Sequence, residues 1–382
     1  MIGTRFLGIV LVSFLLNSVL HSQVTKKVVI EEITGSWCGL CPDAYVYVDS
    51  ISHNYENAIA ISVHQDDPMA IPLGEEVGDL YTGGGVPGFL IDRHLFDTYQ
   101  FITFGLDFDL VMDHVGARCE STSPVSLSYT FAEMDDSGHV EIRVQGHFYQ
   151  DVEDRELRFN LFLVEEAISP EQEDYYQVNY FNLEEDHPFF EAGNPIQNFT
   201  HRYVLRDALG GAWGIENSIP TTSISSGSGF QQVFQFQLDE LWDLKDMKMV
   251  AVVQEYNEDR KRRSFLNAED FMLTDLLDYF ENPIDTNTVS GLNDMGAIVA
   301  VDFLYPNPTS SQVCLEYFVT ENTDMLVQIF DASGRLVRVL RDEPISQGAH
   351  SLHWRMDEEA PGLYFIQMES NTGVLTRRFL LR

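Results

Sequence analysis

Two cysteines three positions apart, set between a strand and a helix, constrain this chain more than any other feature. Residues 34–42 read TGSWCGLCP, so Trp37 directly precedes the pair formed by Cys38 and Cys41. The run 28–33 before them is apolar except for two glutamates and predicts a strand, and Pro42 opens a segment with helical apolar spacing. The sequence therefore predicts a strand-to-helix turn at which the two sulfurs bridge locally only to each other.

The composition excludes nucleic acid as a partner. The chain has 382 residues, 44% of them hydrophobic, which is enough for two or three globular domains. Its 60 acidic and 23 basic residues give a net charge of -37, whereas phosphate contacts need lysine and arginine. The basic run at 260–263 has no interleaved aromatic residues, and we interpret it as a solvated hairpin turn.

The N-terminus has the organisation of a secretion signal. Arg5 is followed by an apolar run over residues 6–20 and then by polar and small residues. A run of about 15 residues is short for a membrane span, although a retained signal anchor is the alternative. We therefore predict a signal peptide at residues 1–22, a mature chain that begins near Gln23, and export to a compartment where disulfides persist.

Residues 23–119 alternate between strand and helix signals. Strands at 28–33 and 58–63 flank a helix at 42–53, and a short helix near 74–81 leads through a glycine-rich turn to Val86, Pro87 and an apolar strand. A C-x-x-C after the first strand and a Val-Pro before a later strand resemble the thioredoxin superfamily. The resemblance implies a thioredoxin-like α/β domain in which Pro87 is the cis-proline beside the disulfide.

The resemblance and the position of the cysteines point to thiol chemistry. A thiolate at a helix N-terminus has a lowered pKa, so Cys38 is the candidate nucleophile, next to Trp37, and Cys41 is the resolving thiol. Glu32 stands where thioredoxins have a buried acid that assists proton transfer; the alternative is a solvated strand carboxylate. Because Glu31 points the other way, we expect one of these two glutamates to face the site.

Three strings resemble the outer-membrane-protein-28-related family of bacterial envelope proteins. They are residues 29–38, residues 64–69 (HQDDPM) and residues 201–207 (HRYVLRD). The resemblance covers residues 25–270 and implies a location in the envelope or at the cell surface, without implying a substrate. Within the second string, His64 either tunes the thiols or is a satisfied histidine, and we prefer the latter.

Residues 120–282 predict an antiparallel β-sandwich. Runs at 124–131 and 139–149 flank a turn, and the second alternates between apolar and polar residues, as expected for a hairpin with one solvated face. Further strand-like runs occur at 158–165, 232–238 and 247–256. The insertion at 170–200 either binds a ligand or is a structured loop over the sandwich edge, and we prefer the structured loop.

A polar linker at 283–297 precedes a C-terminal module of short strands and tight turns, which predicts a small β-sandwich. Pro-Asn-Pro at 306–308, Gly-Arg at 334–335, Gly-Leu-Tyr at 362–364 and a basic end resemble the type IX secretion C-terminal sorting domain over residues 298–382. The resemblance implies the type IX secretion machinery as a partner and later removal of the module. A permanently attached β-domain is the alternative.

These observations predict a thioredoxin-like α/β N-terminal domain followed by an all-β sandwich domain and a small C-terminal β-sandwich. The protein is secreted or attached to the outer-membrane surface without a transmembrane span. It is either a thiol-disulfide oxidoreductase acting on thiol-bearing proteins or a binding or structural protein whose Cys38–Cys41 disulfide is a staple. We predict no cofactor and no metal, because no second ligand pair accompanies these cysteines, and we expect Cys119 and Cys314 to be unpaired.

Overall fold

The computed structural model describes residues 24–82, 85–96, 108–281, 298–305, 309, 312–319, 322–357, 359–370 and 373–381. The predicted signal peptide, the predicted linker and the Pro-Asn-Pro motif at 306–308 lie outside the described residues.

The described helices lie mainly in the first third of the chain. They are α1 (Cys41–Asn54), α2 (Pro72–Thr82), α3 (Phe108–Cys119) and α4 (Leu273–Glu281). The helices predicted at 42–53 and 74–81 are confirmed to within two residues at each end. Pro42 stands in the first turn of α1, where its fixed φ and missing N–H fit a helix start.

The described strands run through the whole chain. Those before residue 282 are β1 (Val24–Thr25), β2 (Val28–Thr34), β3 (Ala58–His64), β4 (Gly88–Ile91), β5 (Thr122–Ser123), β6 (Val125–Met134), β7 (His139–Phe148), β8 (Glu156–Ile168), β9 (His201–Ala208), β10 (Gly229–Gln237), β11 (Met247–Tyr256) and β12 (Phe265–Met272). Those after residue 297 are β13 (Ile298–Tyr305), β14 (Gln312–Val319), β15 (Thr323–Asp331), β16 (Leu336–Ile345), β17 (Gly348–Arg355), β18 (Gly362–Ser370) and β19 (Gly373–Leu381).

Within the described residues, seven strands form one mixed sheet, which we call the large sheet. Its order is β12-β11-β8-β9-β3-β2-β4. The parallel pairing of β2 with β3 that the sequence predicts is confirmed over 28–34 and 58–64. β3 also pairs in parallel with β9 through Ser62 and Val204, and this contact joins the N-terminal strands to those of the middle region.

Both faces of the large sheet are covered. On β8, Phe162 and Val164 join a core formed with β2, β3 and the helices α1 and α3. The alternate residues Leu161 and Leu163 join a second core with the small sheet β10-β7-β6. Alternation along a strand sends successive side chains to opposite faces. The large sheet is therefore shared by two cores.

The predicted fold class, with a separate thioredoxin-like α/β domain, is wrong, because the large sheet is shared by the N-terminal and middle regions. Strands account for 47% of the described residues and helices, the short 3-10 helices included, for 18%, and no separate thioredoxin-like α/β domain occurs within these ranges. The sequence did not reveal this arrangement for two reasons. Residues 201–207, which form β9, were interpreted only as a string that resembles a known family, and the partner strand β3 lies some 140 positions earlier in the chain. The N-terminal strands continue into the strands of the predicted sandwich instead of closing a domain of their own.

The C-terminal strands form two further antiparallel sheets. Their orders are β13-β14-β17 and β16-β15-β18-β19. Buried side chains such as Leu315, Val327, Ile366 and Phe379 from the two sheets form a third core. Gly334 has a φ of 81°, which glycine adopts without strain, in the turn between β15 and β16.

The shared sheet makes a prediction about fragments. Residues 24–120 alone would leave the edge of β3 unpaired and would expose apolar side chains that now contact β8, β11 and β12. We expect this fragment to show no cooperative thermal transition by circular dichroism, whereas residues 24–281 should unfold cooperatively. A fragment of 24–120 with dispersed amide NMR signals would contradict this assignment of the fold.

Candidate functional site

The two cysteines of the motif are joined in a disulfide at the start of α1. Their Cα atoms are 5.4 Å apart, and the amide of Cys41 donates to the carbonyl of Cys38 at 3.2 Å. Cys38 is 4% exposed and Cys41 is 2% exposed. The structure therefore brings the predicted pair together, but buries both residues.

Trp37 lies on the outer side of this turn. Its indole N–H donates to the carbonyl of Gln65 at 2.8 Å, while the residue remains 45% exposed. Leu40, on the other side of Cys38, is 43% exposed. The buried disulfide thus has an exposed apolar rim.

Part of the predicted insertion covers the disulfide, and we call residues 174–180 the strap. The amides of Val178 and Tyr180 donate to the carbonyls of Ser36 and Gly39 at 2.8 and 3.0 Å. The side-chain amide of Gln177 donates to the carbonyl of Cys38 at 2.9 Å. The insertion is therefore a structured loop, as we preferred, but it lies over the cysteine turn and not over a sandwich edge.

Gly39 permits the strap to approach this closely. A Cβ atom at residue 39 would lie 2.4 Å from the ring of Tyr180, closer than real contacts allow. Glycine is the residue that lets another group come this near to the backbone. The spacer between the two cysteines is therefore fitted to the strap.

The two glutamates of β2 have different partners. Glu31 forms a buried ion pair with Arg93, whose Nε donates to it at 2.8 Å. Glu32 is 2% exposed and accepts a hydrogen bond from the Ser62 hydroxyl at 2.9 Å. The expectation that one glutamate faces the site is met by Glu32, whereas the alternative of a solvated carboxylate is wrong for both residues.

Glu32 and Cys41 line the same small cavity, which we call the sulfur cavity. Its volume of about 10 Å³ is enough for about one water molecule. Ser62, His64 and His201 also line it. A buried carboxyl group and the helix-borne cysteine of the disulfide therefore share one cavity.

Burial controls the charge of the cavity. It raises the pKa of Glu32 from 4.5 to about 7, even though the Ser62 hydrogen bond favours the carboxylate. It also lowers the pKa of His201 to about 4, and the His201 Nε2 donates to the carbonyl of Tyr175 at 2.8 Å. His201 is therefore neutral at neutral pH, and Glu32 is poised to exchange a proton there.

His64 is a satisfied buried histidine. Its Nδ1 donates to Asp67 at 2.7 Å, and both side chains are at most 3% exposed. Burial alone would raise the pKa of Asp67, but hydrogen bonds from His64 and from two backbone amides lower it. The ring of His201 lies 5.4 Å from that of His64. Sequence reasoning did not predict His201 as a site residue. Its only signal was its place in residues 201–207, the string that resembles the outer-membrane-protein-28-related family.

Pro87 lies at the same end of the large sheet as the disulfide. The peptide bond between Val86 and Pro87 is cis. β4 runs antiparallel to β2 with Gly88 opposite Ile33, so Pro87 comes one residue beyond this pair, near the end of β2 that leads to Cys38. The register thus places Pro87 beside the turn that contains the motif.

The other two cysteines, Cys119 and Cys314, are thiols and do not line the sulfur cavity. Burial raises the pKa of Cys119 to about 12, which makes it a poor nucleophile. Cys314 is buried in β14, with the Nε2 of His353 3.7 Å from its sulfur. In the part of the chain that the structure describes, no group of three or more His, Cys, Asp or Glu side chains could hold a metal ion.

Comparison with known protein families identifies the family of this chain. Residues 76–270, just over half of the chain, match the family of outer membrane protein Omp28. The chain belongs to the outer membrane protein Omp28 family. The match begins after Cys41, so membership of the Omp28 family alone assigns no role to the disulfide.

The C-terminal residues 303–382 match the secretion system C-terminal sorting domain. The predicted resemblances to the Omp28 family and to the sorting domain are thus confirmed, whereas neither match shows the thioredoxin resemblance. Together the two matches indicate export of this Omp28 family member to the cell surface. The sorting domain implies an interaction with the type IX secretion machinery. Among the described helices, none is long and apolar enough to cross a membrane.

One solved structure shares the fold of this chain. HBP35 of Porphyromonas gingivalis is similar over 94% of this chain and 99% of that chain, with a TM-score of 0.53 and 17% sequence identity, which shows a shared fold alone. Dimeric latent PorU from the same organism matches 68% of this chain and 34% of its own, with a TM-score of 0.20 and 10% identity, too low to support an inference. A search of curated protein sequences gave no significant match.

The buried Glu32 makes a prediction about stability and pH. Because its pKa is higher in the folded chain than in the unfolded chain, the folded state binds more protons between about pH 4.5 and 7, and stability falls as pH rises through this window. The Glu32→Gln variant lacks the titrating group, so this fall in stability should be absent from it. We expect the free energy of unfolding of the variant, relative to that of wild type, to increase from pH 5 to pH 8 by on the order of 2–3 kcal/mol, measured by urea unfolding of the oxidised protein.

Glu133→Gln is the matched control, since Glu133 is an exposed strand glutamate. Its stability relative to wild type should change little over the same range. His201 contributes with the opposite sign, because its lowered pKa makes stability rise between about pH 4 and 6.5. Parallel pH profiles for wild type and Glu32→Gln would show that Glu32 does not titrate as inferred.

The strap makes a prediction about access to the disulfide. Gln177→Ala removes the hydrogen bond to the Cys38 carbonyl, worth about 1 kcal/mol, so reduction by dithiothreitol should be roughly fivefold faster. Gln172→Ala, at an exposed position just before the strap, is the control and should react like wild type. Equal rates for all three proteins, followed by mass spectrometry of alkylated samples, would show that the strap does not limit access.

Proposed function

We propose that this cell-surface protein carries out thiol-disulfide exchange through Cys38 and Cys41. The observation that carries the proposal is the position of Glu32, a buried carboxyl group that shares the sulfur cavity with Cys41. Burying an ionisable group costs stability, and carboxyl groups with perturbed pKa values concentrate at functional sites. A group with a pKa of about 7 can both give and take a proton at neutral pH.

The helix start supports the choice of nucleophile. No side chain caps the N-terminus of α1, so the positive end of the helix dipole faces the cysteine turn without a capping carboxylate or hydroxyl group. This environment favours a thiolate on Cys38 over a thiol. Trp37, with its exposed ring, would contact a thiol-bearing polypeptide, and the buried cis-proline Pro87 would shape that surface from beneath.

The exchange can be written with every bond accounted for. A substrate thiolate attacks the Cys38 sulfur, a mixed disulfide forms, and the Cys38–Cys41 bond breaks with its electron pair on Cys41. Protonated Glu32 gives its proton to the Cys41 thiolate. A second substrate thiolate then attacks the substrate sulfur of the mixed disulfide, which releases an oxidised substrate and the Cys38 thiolate. The reverse sequence reduces a substrate disulfide, with Glu32 taking the proton.

Transport places this chemistry outside the cell. We infer that the signal peptide is removed near residue 22 and that residues 298–382 direct passage through the type IX secretion machinery. The mature protein is then attached to the outer-membrane surface without spanning it. Its thiol-bearing substrates would be exported or surface proteins.

A second function is favoured by a specific observation. Both cysteines are almost fully buried, and the strap hydrogen-bonds to the turn on either side of Cys38. A disulfide in such a place can act as a staple in a surface binding or structural protein. In that case Glu32 contributes no proton and the sulfurs never leave the oxidised state.

The reduction potential distinguishes the two functions. Equilibration of the full-length protein with glutathione redox buffers, read by alkylation and mass spectrometry, should give a potential above about -300 mV for an exchanging pair and below it for a staple. We also expect the reduced protein to reduce insulin, and Glu32→Gln to slow this reaction by roughly tenfold or more at neutral pH.

Cys38→Ser and Glu133→Gln, the same substitution at an exposed glutamate, serve as controls for insulin reduction. Cys38→Ser should abolish the activity, and Glu133→Gln should keep it. A potential below -300 mV together with no insulin reduction would establish the staple and overturn the proposed exchange.

A further inference from the structure

A groove lined with basic side chains lies at the end of β2 opposite the disulfide. Its volume is about 460 Å³, and its cationic lining residues are Lys26, Arg118, Arg155, Lys261 and Arg262. Lys26 precedes β2, whereas the cysteine turn follows it, so the two sites are separated by roughly the 20 Å length of that strand. We call this feature the basic groove.

The floor of the basic groove is a fixed network of charges. Asp92 is fully buried, and it accepts hydrogen bonds from the Arg118 side chain at 2.9 Å and from the amide of Val29 at 3.0 Å. Lys26 lies 3.3 Å from the same carboxylate and donates to the carbonyl of Phe265 at 2.8 Å. These contacts hold two cations in place between β2, α3 and β12.

The rim carries cations that are accessible to solvent. Glu255, only 7% exposed, lies between Arg155 at 3.7 Å and Arg262 at 3.1 Å, whose side chains are 47% and 52% exposed. Lys261 is also exposed. One carboxylate therefore orients two guanidinium groups towards the same opening.

The charge of the groove contrasts with that of the chain. The whole sequence has 60 acidic and 23 basic residues, yet five cations line this groove against two carboxylates, Glu255 in its lining and Asp92 beneath it. Converging cations in a concave site focus the field and attract anions. Guanidinium groups present forked donors that match phosphate oxygens and stay charged at any physiological pH.

We propose that the basic groove binds a phosphate-bearing small molecule or headgroup. Its volume is within the range of sites for small ligands. The rim guanidinium groups of Arg155 and Arg262 and the ammonium group of Lys261 contact the phosphate, and Arg118 and Lys26 supply positive charge from below. The site is separate from the disulfide and does not depend on thiol exchange.

Inorganic pyrophosphate is the first probe, titrated into the full-length oxidised protein by calorimetry at low ionic strength. We expect saturable binding that weakens with added salt, and about tenfold weaker binding by the double variant R155A/K261A, because two charge-assisted contacts are lost. R143A/K245A is the matched control: it removes one ion-paired arginine that is 43% exposed and one lysine that is 71% exposed, both outside the groove. The control should bind like wild type.

Vesicles distinguish the source of the phosphate. Flotation with phosphatidylcholine vesicles that contain phosphatidic acid, compared with phosphatidylcholine alone, tests a lipid headgroup. Pyrophosphate binding without flotation identifies a soluble ligand, and flotation that R155A/K261A abolishes identifies a headgroup; each supports the site. No binding of either probe, or equal weakening by both double variants, would overturn the proposal.

Discussion

The parallel pairing of β3 with β9 is the contact on which the candidate site depends. Ser62 and Val204 are 142 positions apart, and their pairing attaches the middle region to the N-terminal strands. His201, at the start of β9, thereby comes beside His64, at the end of β3. The chain that leads to β9 also crosses the cysteine turn, where the strap hydrogen-bonds to residues 36–39. The strand pairing and the segment before β9 together enclose the sulfur cavity.

Burial of β2 on both faces gives its two glutamates different properties. Glu31 is matched by a guanidinium group, a partner that keeps its charge and satisfies both carboxylate oxygens. Glu32 has a neutral hydroxyl group as its partner, which cannot compensate for the loss of water around a charge. Burial without a charged partner thus leaves Glu32 able to change charge near neutral pH, whereas Glu31 is held in an ion pair.

The sequence predicted well what local patterns determine. Apolar periodicity located α1, β2, β3 and the hairpin of β6 with β7, and the spacing of Cys38 and Cys41 predicted their bond. The separate α/β domain was wrong because strand order depends on contacts that are distant in sequence and leave no local signal. Glu32 was predicted from its position relative to Cys38, whereas His201 and Gln177 enter the site only through the fold.

The strap reconciles a buried disulfide with exchange chemistry, because access and equilibrium are separate quantities. Four hydrogen bonds of about 1 kcal/mol each join the strap to residues 36–39. Opening it would cost on the order of 4 kcal/mol, so roughly one molecule in a thousand would expose Cys38 at a given moment. Such an equilibrium slows attack on the sulfur by the same factor. It leaves the reduction potential unchanged as long as the strap binds the oxidised and reduced turns equally well. Burial by a strap of this strength therefore limits the rate of exchange and does not by itself make the disulfide a staple.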